Sequence, residues 1–180
     1  LEYVLRSHGL EPGVDVTVDT TVQFNMMAGA FTGGTGDYTT LFEPTATEVE
    51  QAGKGYVLCS IGQESGEIPY TAYFAAASYL QDSADVIRAI ARGQAWVQEH
   101  TAEEIAAAIA PQFPDSDLSV LTAVTQRHLD IDAWNAVPRM EQDALERLET
   151  VMEGAGELTR EQWVDYSAIV DNTFADAAVK

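Results

Sequence analysis

Asp37, Thr39, Thr40, Phe42 and Glu43 crowd into Gly36-Asp37-Tyr38-Thr39-Thr40-Leu41-Phe42-Glu43-Pro44, directly after the glycine-rich Phe31-Thr32-Gly33-Gly34-Thr35. Hydroxyls, one ring and carboxylates hold a small molecule by hydrogen bonds and stacking, and no activated nucleophile stands among them. The pattern predicts a helix end, a glycine turn, a short strand over Tyr38–Phe42, and a helix opened by Pro44 after an acidic residue. Such a strand delivers Thr39, Thr40, Phe42 and Glu43 to the carboxyl end of a sheet, where ligands bind in open α/β folds.

Other residues capable of chemistry read as structural. Cys59 lies in the apolar run Tyr56-Val57-Leu58-Cys59-Ser60-Ile61, which predicts a buried strand with the thiol as a small hydrophobe. With one cysteine no internal disulfide can form. His8, His100 and His128 are far apart, each near a helix end or face with no His-x-x-x-His or Cys pair beside it, so no zinc site is expected. Gly29, Gly33, Gly34 and Gly36 end a helix where a dinucleotide fingerprint must open one, and no Gly-Lys-Ser/Thr follows. Asp115 and Asp117 read as helix N-caps, and Asp130 and Asp132 lack the glycine and terminal glutamate of a calcium loop. No metal and no cofactor is expected.

The elements that must position the Gly36–Pro44 stretch follow from period and punctuation. Leu1, Val4 and Leu5 share a helical face that Gly9 terminates, with His8 in the last turn complementing the helix dipole. Val14, Val16 and Val18 alternate with Asp15, Thr17 and Asp19, the period of a half-buried strand, and Phe24 to Phe31 reads as a helix. Tyr56 to Ile61 and Tyr70 to Ala76 are further strands, and strand–helix alternation argues for crossover units and a mainly parallel sheet. From Ser78 onward the period is helical. Thr101-Ala102-Glu103-Glu104 and Thr159-Arg160-Glu161-Gln162 form capping boxes. The change near Ala77 divides an α/β part, residues 1–76, from a helical part, residues 77–180.

Composition narrows the partners. Asp plus Glu number 29 against 9 Lys plus Arg, a formal charge of −20 that repels nucleic acid and anionic lipid. The 46% hydrophobic content is enough for a core. No apolar run reaches the roughly 18 residues of a membrane span. The first residue is Leu1, already inside a helical pattern, which predicts a fragment of a longer chain.

Phe31-x-x-Gly-x-Gly-Asp37 running into Leu41-Phe42-Glu43-Pro44, then Gly53-Lys54-Gly55-Tyr56 and Pro69-Tyr70-Thr71, resembles the solute-binding proteins of ABC importers for nitrate, sulfonates, taurine and pyrimidine precursors. The likeness continues through Ala95-Trp96-Val97, Glu103-Glu104-Ile105-Ala106 and Ile109-Ala110-Pro111, and ends with Ile169-Val170-Asp171-Asn172-Thr173-Phe174-Ala175. It implies the type II periplasmic-binding fold. On that reading, residues 1–76 are the second α/β lobe with its return hinge strand, residues 77–180 are the helical C-terminal region, and the first lobe lies outside the chain. It also implies a small polar or anionic solute in an interlobe cleft, an ABC permease as partner, and a periplasmic or membrane-anchored extracellular location. Gln23, Asp37, Thr39, Thr40, Phe42 and Glu43 match cleft positions of the family. Glu43 either meets a hydrogen-bond-donating or cationic ligand or caps the helix after Pro44. Phe42 stands where the family often has Trp, and Tyr38-Thr39-Thr40 is more polar than usual there. Two relatives of the family are enzymes, a desulfinase and a pyrimidine-precursor synthase, which makes an enzyme on the same scaffold the rival reading. A lobe without its counterpart exposes apolar surface, so self-association is expected of the fragment.

Overall fold

The computed structural model describes residues 1–80 and 84–179. Positions 81–83 and 180, within the helical region that the sequence predicts from Ser78, lie outside the described residues. The helices in chain order are α1 Glu2–Ser7, α2 Met27–Thr32, α3 Thr45–Gln51, α4 Ile61–Ser65, α5 Ala77–Leu80, α6 Ala84–Gln98, α7 Ala102–Ile109, α8 Leu118–Asp130, α9 Gln142–Gly154, α10 Tyr166–Ile169 and α11 Thr173–Ala178. Short 3-10 turns over Phe24–Met26, Ala110–Gln112 and Arg160–Gln162 precede or follow them. Two compact units result. One comprises residues 1–64 and 101–131, the other residues 65–100 and 132–180.

In the first unit α7 packs along α8, α3 packs on α8, and α2 packs on α3. Ala102, Ile105 and Ala106 recur at the three- and four-residue spacing of one helical face, and all three are buried, as are Val120, Leu121 and Thr125 of α8. Ile105 and Leu121 are among the largest fully buried side chains, each contributing about 1.5–3 kcal/mol through removal from water. Thr101 accepts from the Glu104 backbone N–H at 3.3 Å while the Glu104 carboxylate takes the Thr101 N–H at 2.9 Å. The capping box read from Thr-x-x-Glu thus starts α7.

In the second unit α6 packs against α11, with Ala91 and Ala175 buried, while Ala144 and Leu145 of α9 are also buried. The Glu149 carboxylate accepts the Val164 N–H at 2.7 Å, which gives this buried side chain a partner. Asn172 donates from Nδ2 to the Met140 carbonyl and to the Tyr166 hydroxyl, tying the segment before α9 to α10 and α11.

The expected α/β architecture with a mainly parallel sheet is overturned. Among the described residues there is no sheet, and pairing is limited to an isolated parallel bridge between Pro12 and Val16. Around Val14 the reason is local competition for backbone groups. The Asp15 carboxylate accepts the Glu11 N–H at 2.8 Å, and the Val14 and Asp15 N–H groups both turn back to the Glu11 carbonyl. Glu11 to Val16 therefore closes as a tight turn, and the apolar alternation goes unused. Near Tyr38, Tyr56 and Tyr70 the chain has no regular secondary structure, and Tyr38, Tyr56, Leu58, Tyr70, Tyr73 and Phe74 are exposed. Strand preference expresses a fit to a pleated, half-buried surface, and these segments have no neighbouring strand to provide one. Cys59, expected in a buried strand, is exposed for the same reason.

Candidate functional site

The Gly36–Pro44 stretch is positioned by what lies on either side of it. Before it, α2 ends with the Thr35 N–H bonded to the Ala30 carbonyl and the Gly34 N–H to the Phe31 carbonyl, which turns the chain sharply. After it, α3 begins, and the Glu43 carboxylate accepts the Thr47 N–H through Oε2 at 3.0 Å. Helix α3 closes at Gly53, whose φ of +66° is the left-handed conformation that a C′ position requires.

Between these elements lies a hollow of about 210 Å³. Phe24, Asn25 and Ala28 line it from one side, and Leu41, Phe42, Glu43 and Thr45 from the other. The Phe24 and Phe42 rings meet with centroids 5.3 Å apart and planes tilted by 53°, an arrangement favoured by the ring quadrupoles. The hollow is smaller than the roughly 300–1,000 Å³ of ordinary ligand pockets and suits a single ring or a compact head group.

The polar wall is held from α8. Arg127 donates from Nη1 to Glu43 Oε1 at 3.0 Å and to the Thr47 hydroxyl at 2.6 Å, and from Nη2 to Glu50 Oε2. Glu50 also accepts the Val57 N–H through Oε1 at 2.9 Å. The side chains of Arg127 and Glu43 are only 28% and 18% exposed, and Thr47 is buried. Burial opposes the charge of Arg127, but the hydrogen bonds and charges of Glu43 and Glu50 outweigh it and hold the guanidinium above its ordinary range. The Val57 N–H, assisted by Arg127, holds the Glu50 carboxyl below the usual carboxylate range.

Of the residues matched to cleft positions, Phe42 and Glu43 line this hollow. Gln23 is exposed at the start of the Phe24–Met26 turn, Asp37 is exposed, and Thr39 and Thr40 are half-buried outside the lining. Phe24, Asn25, Ala28, Thr47, Glu50 and Arg127 belong to the arrangement without having been singled out in the sequence. The one signal for Arg127 is scarcity, a cation near a helix end in a chain with 9 Lys plus Arg against 29 acidic residues.

A second hollow, of about 240 Å³, lies in the other unit among Glu67, Asn135, Ala136, Val137, Arg139 and Glu141. Its polar groups already serve one another. Asn135 donates to Glu67 at 2.9 Å, and Arg139 pairs with Glu141 and Asp176. Among the described residues no group of three or more His, Cys, Asp or Glu could hold a metal ion, and no helix is long and apolar enough to cross a membrane.

The chain is 35% identical over 179 residues to the protein named "Putative binding protein YtlA" of Bacillus subtilis (strain 168). The match takes in 97% of this chain and 53% of that relative, so the chain spans about half the length of the curated protein it matches. No protein-family model matches the chain, and no solved structure does.

Proposed function

We propose that these residues act in solute binding, as part of the extracytoplasmic binding component of an ABC importer. The relative's description as a binding protein supports a binding role. The order of motifs from Phe31 to Ala175 supports the finer reading of a carrier for a sulfonate, taurine, nitrate or pyrimidine-precursor type of solute, delivered to an ABC permease from a periplasmic or membrane-anchored extracellular location. The observation that carries the proposal is the Phe24–Phe42 ring pair beside a carboxylate whose oxygens are already engaged, a surface made for holding a group.

Isothermal titration of the complete gene product against nitrate, taurine, alkanesulfonates and aminopyrimidines tests this reading. Phe42→Ala is expected to weaken whichever solute binds by about 1–3 kcal/mol, the loss of a ring packed on the ligand. Binding unaffected by Phe42→Ala would remove this hollow from the site. Chemical conversion of a bound solute would replace the carrier reading with an enzyme.

A further inference from the structure

Among the described residues that line the Phe24–Phe42 hollow, Glu43 is the one ionisable side chain, and no lysine, arginine or histidine stands with it there. Its counterion, Arg127, lies outside the lining and is shared. Nη1 of Arg127 reaches the Thr47 hydroxyl at 2.6 Å and Glu43 Oε1 at 3.0 Å, while Nη2 is given to Glu50. Two carboxylates thus divide one guanidinium, and one negative charge stays uncompensated beside the two rings. We infer that this hollow selects the cationic head of its solute, a compact ammonium group, and that Glu50 acts as a positioning residue for that choice by holding part of the Arg127 charge away from Glu43. The inference rests on the reading of the hollow as a solute site and adds the charge of the group that enters it.

The Thr47 N–H that Glu43 Oε2 accepts is neutral, so it fills a lone pair without cancelling charge. A carboxylate offers about four lone-pair sites, and the Thr47 N–H and Arg127 Nη1 take one on each oxygen, which leaves acceptors for the N–H groups of an ammonium. Asn25 and Thr45 add an amide oxygen and a hydroxyl oxygen to the same lining. Phe24 and Phe42 are 65% and 51% exposed, and the negative faces of such rings attract a cation. A nitrate or sulfonate group would instead meet the uncompensated carboxylate with no cationic side chain in the lining to offset it. The charge class is therefore the opposite of theirs. Glu50 lies outside the lining, fixed by the Val57 N–H at 2.9 Å, so its effect on the hollow runs through Arg127.

The test titrates benzylamine, benzyl alcohol and benzoate into the complete gene product at neutral pH while the Phe24 and Phe42 ring resonances are followed by NMR. In the wild type benzylamine is expected to bind about threefold or more tighter than benzyl alcohol, its uncharged isostere, and benzoate more weakly than either, the scale of one charge acting close to water. Arg127→Met should widen the gap between amine and alcohol. Glu50→Gln, which leaves Arg127 to Glu43 alone, should close it. Glu153→Gln, an equal change of charge on an exposed side chain of α9 in the other unit, should leave it as it is. Should Arg127→Met fail to fold, the contrast between Glu50→Gln and Glu153→Gln decides. A gap that Glu153→Gln closes as far as Glu50→Gln belongs to the net charge of the whole chain and overturns the inference, as does a wild type that binds amine and alcohol alike. Glu50→Gln weakening the three probes together, with the gap intact, would make its role purely structural and also overturn it. Each of these results leaves the hollow as a binding site. If no probe moves the ring resonances in the wild type, the hollow is not a site, and the inference falls with the reading on which it rests.

Discussion

Nη1 of Arg127 donates to the hydroxyl of Thr47 at 2.6 Å, joining α8 to a threonine of α3 that is 1% exposed. A buried hydroxyl that accepts from a charged donor is costly to remove, because the donor then loses an acceptor in a place that water reaches poorly. Thr47→Val keeps the shape and deletes the acceptor. It is expected to lower unfolding stability by about 1–3 kcal/mol in urea titration. An unchanged midpoint would show that Glu43 and Glu50 satisfy Arg127 without the threonine.

Glu50 gives the same network a pH dependence. Its carboxyl is held below its ordinary value of 4.5, chiefly by the Val57 N–H and then by Arg127. A carboxyl depressed by folding contributes stability that is fully present above its unfolded value and is lost as pH falls through the lower folded value. Arg127 is shifted upward and stays charged across that range. Glu50→Gln is therefore expected to be less stable than wild type at pH 7, with the difference shrinking below about pH 4.5. Thermal melts of both proteins from pH 7 to pH 3 check this, and a difference that stays constant throughout would remove Glu50 from the account.

The capping box at α7 makes a third expectation. Thr101→Ala removes the acceptor for the Glu104 N–H and is expected to cost about 1 kcal/mol, with Thr101→Ser recovering most of it. Since α7 carries Ile105 and Ala106 into the core with α8, the loss should register in global unfolding and not only in fraying of one helix. A full-size effect on helix content with no change in the global midpoint would contradict that coupling.

What could be read from the sequence and what could not divide along a physical line. Thr101 and Glu104 stand three residues apart and satisfy each other, and Gly9 meets the helix end at Ser7 and His8, so their signals are complete within one turn of chain. The alternation of Val14, Val16 and Val18 is equally local, yet a strand needs a second strand, and Asp15 captured the Glu11 backbone first. The apolar run around Cys59 read as buried for want of any view of what covers it, and among the described residues the thiol is exposed. In the site, Phe42 and Glu43 were visible as a ring and a carboxylate at the head of a helix. Arg127 was not, because a contact across 84 positions leaves no periodic trace in the residues on either side of it.

The exposed segments themselves carry the last prediction. Tyr56 is 89% exposed, Phe74 92% and Tyr73 83%, with Leu58 and Tyr70 nearby in sequence and also exposed. Scattered apolar side chains on a surface are ordinary, but runs of large exposed aromatic residues, outside any sheet among the described residues, are the kind of surface that recruits another chain. The charge of −20 opposes association at low salt, and its reach shortens to about 10 Å at 0.1 M ionic strength. The 180-residue chain on its own is therefore expected to associate as concentration rises, more strongly at higher salt, and Tyr73→Ser with Phe74→Ser should reduce the effect. Light scattering over a hundredfold range of concentration at two ionic strengths checks it. A strict monomer under both conditions would mean that these aromatic runs are tolerated in water as they stand.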